Sequence, residues 1–427
     1  MVRRDYRGLH SAGSVSTLIV DILFAERLLI MAARRWNGGI SGPVLAIGLG
    51  LGLRAYRQHL GAGALAIQSP NGIQEGMYVK IGGIDQWIQI RGEDRDNPVI
   101  LFVHGGPGGS TIPMSSGWQP WEKYFTIVQC DQRGAGRTFR TTGESIATTM
   151  TLAQMTRDGV EVAEYLRVHL HKDRIGLIGH SWGSFLGIHI VKQRPELFYA
   201  FVGTGQVVGK QTFEKQFELT VTHLKALAQA ANNIQALTEL EPISVSPDFS
   251  KQPCDTISFA SPAYGTPECN IVQKWAKALS LPSIGAYQFV GPVLPPFMPD
   301  FSLLDWYYWW KGSSFSSTQL RRGSGPMIQS DLWSLGTDFS IPVFFFEGTE
   351  DFVTPIEPAY AYFERVKAPR KEFVLFKGGD HFIPLDRPDE FLTQLIEYIR
   401  PLVFSAKDEP IEPTIRAGAR LPGMAPD

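Results

Sequence analysis

One serine in this chain stands where a serine can become a nucleophile. Gly179-His180-Ser181-Trp182-Gly183 follows the apolar run Ile175–Ile178 directly. A Gly-x-Ser-x-Gly pentapeptide at the end of a buried strand turns sharply into a helix, with the serine hydroxyl exposed at the turn. The alternative, an ordinary Gly/Ser turn, does not need a strand before it and a helix after it. A serine hydroxyl is a weak nucleophile near neutral pH and needs a base. Among nine histidines, position selects His381, in Gly378-Gly379-Asp380-His381-Phe382 just past the last predicted strand. The base in turn needs an acid to hold its tautomer and balance the imidazolium that forms. Asp351, in Gly348-Thr349-Glu350-Asp351, follows the preceding strand in the same way. Glu350 is the competing acid. Asp380 neighbours His381 and reads as a solvated loop residue. The chemistry this set could do is acyl transfer through a covalent serine intermediate.

The oxyanion of such a reaction needs donors already in place. His104-Gly105-Gly106-Pro107-Gly108-Gly109 follows the apolar run Val99–Val103. Glycines let backbone N–H groups approach a substrate closely. Gly106 is expected to supply one donor, with Gly105 in reserve, and the backbone N–H of Trp182 the other. His104 reads as structural. The loop lacks the Gly-Lys-Ser/Thr ending and the Gly-x-Gly-x-x-Gly spacing of phosphate-binding loops. Acyl transfer of this kind needs no metal and no organic cofactor.

These residues must be carried by something rigid. From Gln74 onward, Met77–Ile81 and Gln86–Arg91 alternate apolar and polar residues around Gly82-Gly83, which predicts an antiparallel hairpin. Short apolar runs follow at Val99–Val103, Thr126–Cys130, Ile175–Ile178, Phe201–Val202, Val343–Phe346 and Phe373–Phe376. Such runs fit strands buried on both faces of a parallel sheet. Thr151–Leu170 carries a helical period through Val160, Ala163, Leu166 and Leu170, with Thr151 near its N-cap. A further helix is expected after Ser181. The fold class is therefore α/β, with a mostly parallel central sheet and helices on both faces. Each candidate catalytic residue falls at the carboxyl end of a strand, where open α/β sheets place their sites.

The rhythm breaks between residues 207 and 340. That stretch is helix-like from Phe213 to Ala231, then rich in Pro, Ser and aromatics, including Trp306-Tyr307-Tyr308-Trp309-Trp310. It reads as an inserted, mainly helical cap domain. The aromatics, with Phe289, Phe297 and Phe301, read as cap core packed on the catalytic domain, or else as an apolar substrate pocket. The expected organisation is an N-terminal extension over 1–73, a catalytic domain over 74–206 and 341–405, the cap over 207–340, and a disordered Pro- and charge-rich tail over 406–427.

The net charge of −2 over 427 residues excludes nothing by itself but suggests no nucleic-acid partner. A small molecule or short peptide is the expected partner. Residues 1–60 are locally basic, with eight Arg against three acidic residues. The apolar run Val15–Ala33 carries Asp21, Glu26 and Arg27, and charges at membrane depth are costly. The charge-free run Ile40–Leu53 falls short of the roughly twenty residues a span needs. The segment reads as a soluble extension of a cytoplasmic protein, with a weak membrane contact through residues 1–60 as the alternative. Three cysteines make no disulfide scaffold. Cys130 reads as a buried thiol, while Cys254 and Cys269 either pair or stay free.

Three motifs together resemble the proline iminopeptidase (prolyl aminopeptidase) branch of the α/β-hydrolase superfamily. They are His104-Gly-Gly-Pro-Gly-Gly109, Asp131-Gln-Arg-Gly-Ala-Gly-Arg-Thr138 and Gly179-His-Ser-Trp-Gly-Ser184, with Gly348-Thr-Glu-Asp-Phe-Val-Thr-Pro355 around the acid. The resemblance spans about Gln74 to Leu402 and is stronger in the core than in the cap. It implies the α/β-hydrolase fold, the order Ser181, Asp351, His381, an oxyanion donor at Gly106, and release of an N-terminal residue, typically proline, from small peptides. It also implies that Asp131 and Arg133 buttress the sheet and its loops. The family binds the substrate amino group through cap glutamates, one after a tryptophan. No Trp-Glu pair occurs in residues 207–340, although Glu214, Glu218, Glu239 and Glu241 are present. Gly203-Thr-Gly-Gln-Val-Val208 is similar to a subgroup known only as hydrolases. An esterase, lactonase or lipid-like ester hydrolase on the same machinery is the second expectation. A non-catalytic binding protein on this scaffold is a remote third.

Overall fold

The computed structural model describes residues 41–244, 267–279, 297–321 and 325–405. Its centre is an eight-stranded sheet in the order β1-β2-β4-β3-β5-β6-β7-β8. The strands are β1 (Ile73–Ile81), β2 (Ile84–Gly92), β3 (Val99–Val103), β4 (Thr126–Cys130), β5 (Ile175–His180), β6 (Phe198–Thr204), β7 (Val343–Gly348) and β8 (Lys371–Phe376). Strands β3 to β8 run parallel, and β2 pairs antiparallel with both β1 and β4. The hairpin turns at Gly82 and Gly83, both at positive φ (56° and 79°). A two-residue hairpin loop demands that conformation twice, and glycine adopts it without steric cost.

The apolar runs are continuous because both faces of the sheet are covered. Alternate residues of one strand point to opposite sides. Leu101, Leu177, Phe201 and Phe345 join the core under α3 (Leu152–His169) and α4 (Trp182–Gln193). Phe102, Ile178, Val202 and Phe344 join a second core with Trp118, Trp121 and Phe391. Trp118 and Trp121 belong to the 3-10 segment Ile112–Trp121, and Phe391 to the helix over Pro388–Gln394. The predicted helix over Thr151–Leu170 is α3, and the Thr151 hydroxyl caps it by accepting the N–H of Gln154 at 3.2 Å. Further helices are α1 (Ser41–Leu65), which precedes the sheet, and α2 (Gly136–Thr142), which follows β4.

Between β6 and β7 the described chain is helical. It holds α5 (Lys210–Ala230), α6 (Ile234–Leu240), α7 (Pro267–Ala278) and α8 (Leu303–Leu320). Helix α8 seats directly on the sheet's upper loops. Trp309 Nε1 donates to the Ser110 carbonyl at 2.9 Å, and Ser316 Oγ donates to the Gly134 carbonyl at 2.9 Å. Asp305 ties α8 to α2 through Arg140 (2.7 Å) and Arg137 (3.3 Å). Of the aromatics expected in the cap core, Phe301 and Trp309 are buried, while Tyr307 is exposed. Phe289 lies outside the described residues.

Cys130 is buried and free, and burial pushes its thiol well above the ordinary range. Cys269 is disulfide-bonded and buried in α7, and Cys254 lies outside the described residues. So do the apolar run Val15–Ala33 and the tail after residue 405. Among the described residues, no helix is long and apolar enough to cross a membrane.

Candidate active site

Ser181 sits between the end of β5 and the start of α4 with φ 55° and ψ −121°. A non-glycine residue there is strained, and the surroundings must hold it. They do so by close packing. A Cβ on Gly179 would lie 2.2 Å from the Gly183 carbonyl oxygen, and one on Gly183 would lie 1.9 Å from the Val103 oxygen. Both positions of the pentapeptide are therefore restricted to glycine. The Ser181 N–H donates to the Thr204 carbonyl at 2.9 Å. Ser184 Oγ donates to the Ser181 carbonyl at 2.6 Å and accepts the Val207 N–H at 3.0 Å. The turn is thus pinned to the segment after β6.

His381 and Asp351 meet as acid and base would. His381 Nδ1 lies 2.8 Å from Asp351 Oδ2. Asp351 Oδ1 accepts the N–H groups of Val353 and Thr354, each at 2.8 Å. The Thr354 hydroxyl donates to Asp351 Oδ2 at 2.7 Å and lies 3.1 Å from His381 Nδ1. Four donors converge on one buried carboxyl group and fix its plane. Because Nδ1 is taken, Nε2 is the ring nitrogen left for a reacting group. The His381 ring packs against the His180 ring with centroids 4.8 Å apart, which brings it beside the Ser181 turn. Burial, then the neighbouring His381, push His180 well below the ordinary histidine range, so His180 is a neutral packing group.

The glycine loop reaches the same point. A Cβ on Gly105 would lie 2.9 Å from Ser181 Cβ, so the loop backbone runs against the serine. The Gly105 carbonyl is engaged on the far side, by the Gly109 N–H at 3.0 Å and His104 Nδ1 at 2.9 Å. In a trans peptide the N–H points opposite to the C=O. The Gly106 N–H is therefore turned away from those partners. Gly106 itself has φ 116° and is followed by a cis peptide to Pro107. Trp182 opens α4, so its N–H has no carbonyl one turn back within the helix. Its indole N–H donates to Gln132 Oε1 at 3.1 Å.

Gln132 links the glycine loop to the start of α4. Its side-chain amide donates to the His104 carbonyl at 2.8 Å, and its backbone N–H lies 3.4 Å from His104 Nε2. That network assigns His104 as a neutral ring, Nδ1–H donating and Nε2 accepting. Burial agrees, since it lowers the His104 pKa to about 4. Gln132 has no catalytic atom, and its part depends on partners 28 and 50 residues distant in the chain.

Glu347 is the least expected member. It is fully buried at the end of β7 and accepts the Gln206 N–H at 3.2 Å and 3.3 Å. Burial, then the charge of Asp351, push its carboxyl well above the ordinary range, and the N–H groups of Gln206 and Gly205 act against that. Gly205 lies against the His381 ring, since a Cβ on it would come 2.9 Å from His381 Cε1. A lone Glu inside the apolar run Val343–Gly348 was the available signal.

The decoys lie aside. The Glu350 N–H donates to the Gly379 carbonyl at 2.9 Å, while the carboxyl group at His381 Nδ1 belongs to Asp351. Asp380 is half-buried instead of solvated, because its carboxylate accepts the Phe382 N–H at 2.9 Å and stiffens the turn after His381. Asp131 accepts the Arg137 N–H at 2.7 Å, and burial raises its pKa to about 6. Arg133 forms a buried pair with Asp158 at 2.8 Å and donates to the Gly82 carbonyl at 2.7 Å.

The family described as alpha/beta hydrolase fold matches residues 98–388. The chain is 26% identical over 333 residues to a protein of Bacillus subtilis (strain 168) named probable aminopeptidase YbaC, covering 75% of this chain and 95% of that one. It is 37% identical over 110 residues to a probable proline iminopeptidase of Leptolyngbya boryana, covering 25% and 30% of the two chains. Among solved structures, VinJ matches 78% of this chain and all of its own, at 17% identity and a TM-score of 0.50. That likeness is one of fold.

Proposed function

This chain belongs to the alpha/beta hydrolase fold family, and on that premise we propose that it is a serine hydrolase acting through an acyl-enzyme, with Ser181, His381 and Asp351 as its triad. The observation that carries the reading is the strained Ser181 turn, beside a histidine whose Nδ1 is held 2.8 Å from Asp351. His381 Nε2 takes the proton as Ser181 Oγ attacks the substrate carbonyl. The N–H groups of Gly106 and Trp182, with Gly105 in reserve, receive the oxyanion. His381 then delivers its proton to the leaving group, which departs. Water, activated by the same ring, releases the acid.

The leading substrate class is a small amide or short peptide with a free N-terminus, as the names of the relatives suggest. One observation favours esters instead. Among the described residues, Glu214, Glu218 and Glu239 of the inserted helices are each paired with a lysine, at 2.9, 2.9 and 2.6 Å. Glu241 is exposed. A carboxylate that recognises a substrate ammonium has to face the reacting carbon and stay unpaired. Proline naphthylamide assayed beside short nitrophenyl esters separates the two classes. Release from the amide supports the aminopeptidase reading. Ester turnover with no release from any free-amine amide rejects it.

A further inference from the structure

The buried side of α5 is not all apolar. Phe213, Phe217, Val221 and Leu224 join the core, but Thr212 and Gln216, four residues apart on a neighbouring stripe, are buried as well. Burying a polar side chain is costly unless it is hydrogen-bonded. Both of these hold backbone close to the candidate catalytic residues. Thr212 Oγ1 accepts the Val208 N–H at 3.1 Å, one residue past the Val207 N–H that Ser184 accepts. Gln216 Nε2 donates to the Val353 carbonyl at 2.8 Å, across 137 residues of chain. A carbonyl can only accept, which decides how the side-chain amide is turned. Two further contacts run alongside. The His223 ring lies 5.2 Å from the Phe352 ring, and Lys215 lies 4.0 Å from Glu357.

The Gln216 bond falls on a particular peptide. Val353 and Thr354 share one trans peptide, whose carbonyl meets Gln216 and whose N–H donates to Asp351 Oδ1 at 2.8 Å. In a trans peptide these two groups point opposite ways. Gln216, the peptide and the Asp351 carboxyl group therefore form one chain of hydrogen bonds. Each bond in such a chain polarises the next, so a peptide whose carbonyl is engaged donates more strongly at its N–H. The Thr354 side chain completes the turn, donating to Asp351 Oδ2 at 2.7 Å and lying 3.1 Å from His381 Nδ1. A helix inserted between β6 and β7 thus grips the turn that carries the acid. Resting on the assignment of Ser181, His381 and Asp351 as a triad, we propose that Gln216 is a positioning residue for it. Gln216 holds the Val353–Thr354 peptide so that Asp351 keeps His381 aligned. It acts through Asp351 and takes no part in the bond changes. The seating of α5 thereby sets how fast Ser181 reacts.

The test is the rate constant for fluorophosphonate labelling of Ser181 in the full chain, followed by intact mass to completion. Gln216→Met nearly keeps the side-chain volume but removes the donor. It should label about tenfold more slowly while still reaching a complete adduct. Gln216→Asn draws the amide back by a methylene and should slow labelling by a similar factor. It decides the matter if the methionine variant does not fold. With a short nitrophenyl ester, the loss should fall on kcat and leave KM nearly unchanged. In an Asp351→Asn background, Gln216→Met should cost little more, because its effect passes through Asp351. Gln229→Met, exposed further along α5, should label as the wild type does. A slow approach to a complete adduct reports lost alignment, whereas a fast approach to a partial one reports lost folded protein. Wild-type rate constants in both Gln216 variants would overturn the proposal. So would an equal loss in the Asp351→Asn background. A wild type that never labels at Ser181 would instead remove the triad assignment on which the proposal rests.

Discussion

At the residue scale, the groups that could react were legible and the groups that hold them were not. Ser181, Asp351 and His381 announce themselves because each stands next to glycines at a strand end. Gln132 and Glu347 act through partners distant in sequence, which no spacing rule encodes, while Thr354 serves Asp351 three residues away through its hydroxyl. Their effects can be measured. Thr354→Val removes one hydrogen bond to the Asp351 carboxylate, and a bond to a charged group is worth enough to lower kcat by about tenfold. KM should move little, and Thr354→Ser should restore most of the rate. An unchanged kcat in the valine variant would deny Thr354 that part. For Glu347, a protonated buried carboxyl is expected to be matched by its amide. Glu347→Gln should keep the wild-type unfolding midpoint. Glu347→Leu strands the N–H groups of Gly205 and Gln206 and should cost about 1–3 kcal/mol in urea unfolding.

At the element scale, the apolar runs marked every strand of the parallel sheet, because strands covered on both faces need apolar residues throughout. Their ends were read short, as in β6, where Phe198–Thr204 surrounds the predicted Phe201–Val202. The charge-free run Ile40–Leu53 stops at Arg54, while helix α1 continues through that arginine to Leu65. The aromatic run of α8 was ambiguous between packing and pocket until Trp309 was found bonded to Ser110. Asp305 shows how α8 is held. Burial pushes its carboxyl up, but Ser302, Arg137 and Arg140 outweigh burial and leave it below the ordinary range. Gly312 is a tight point of this contact, since a Cβ there would lie 2.8 Å from the Gly134 oxygen. Gly312→Val should therefore lift α8, costing roughly 1–3 kcal/mol and shifting Trp309 fluorescence to the red. Unaltered emission and stability would show that α8 does not rest there.

At the scale of the whole molecule, pH reports how much of the interior must stay neutral. Burial lowers the His104 and His189 pKa values to about 4 and pushes His180 lower than ordinary as well. Between pH 4 and the ordinary histidine value of about 6.5, the unfolded chain binds more protons than the folded one, so stability rises with pH. The term is on the order of 3 kcal/mol for each of His104 and His189. Asp131, raised to about 6, opposes it between its unfolded value near 4 and pH 6, where the folded chain binds more protons. Glu347, Glu122 and Asp380, also raised by burial, act in the same sense as Asp131. The histidine contribution is therefore isolated by substitution: the stability of wild type relative to His104→Gln should climb from about pH 4.5 to 6.5 and level above that. A difference that does not change with pH over this range would contradict the neutral network joining His104 to Gln132 and Trp182.

The account rests on Ser181 as the nucleophile, and one measurement addresses it directly. The protein is treated with a fluorophosphonate probe and its intact mass is recorded for wild type and Ser181→Ala. The account predicts one adduct on the wild type, mapped to the peptide containing Ser181, and none on the alanine variant. An unlabelled wild type, or equal labelling of Ser181→Ala, would contradict it.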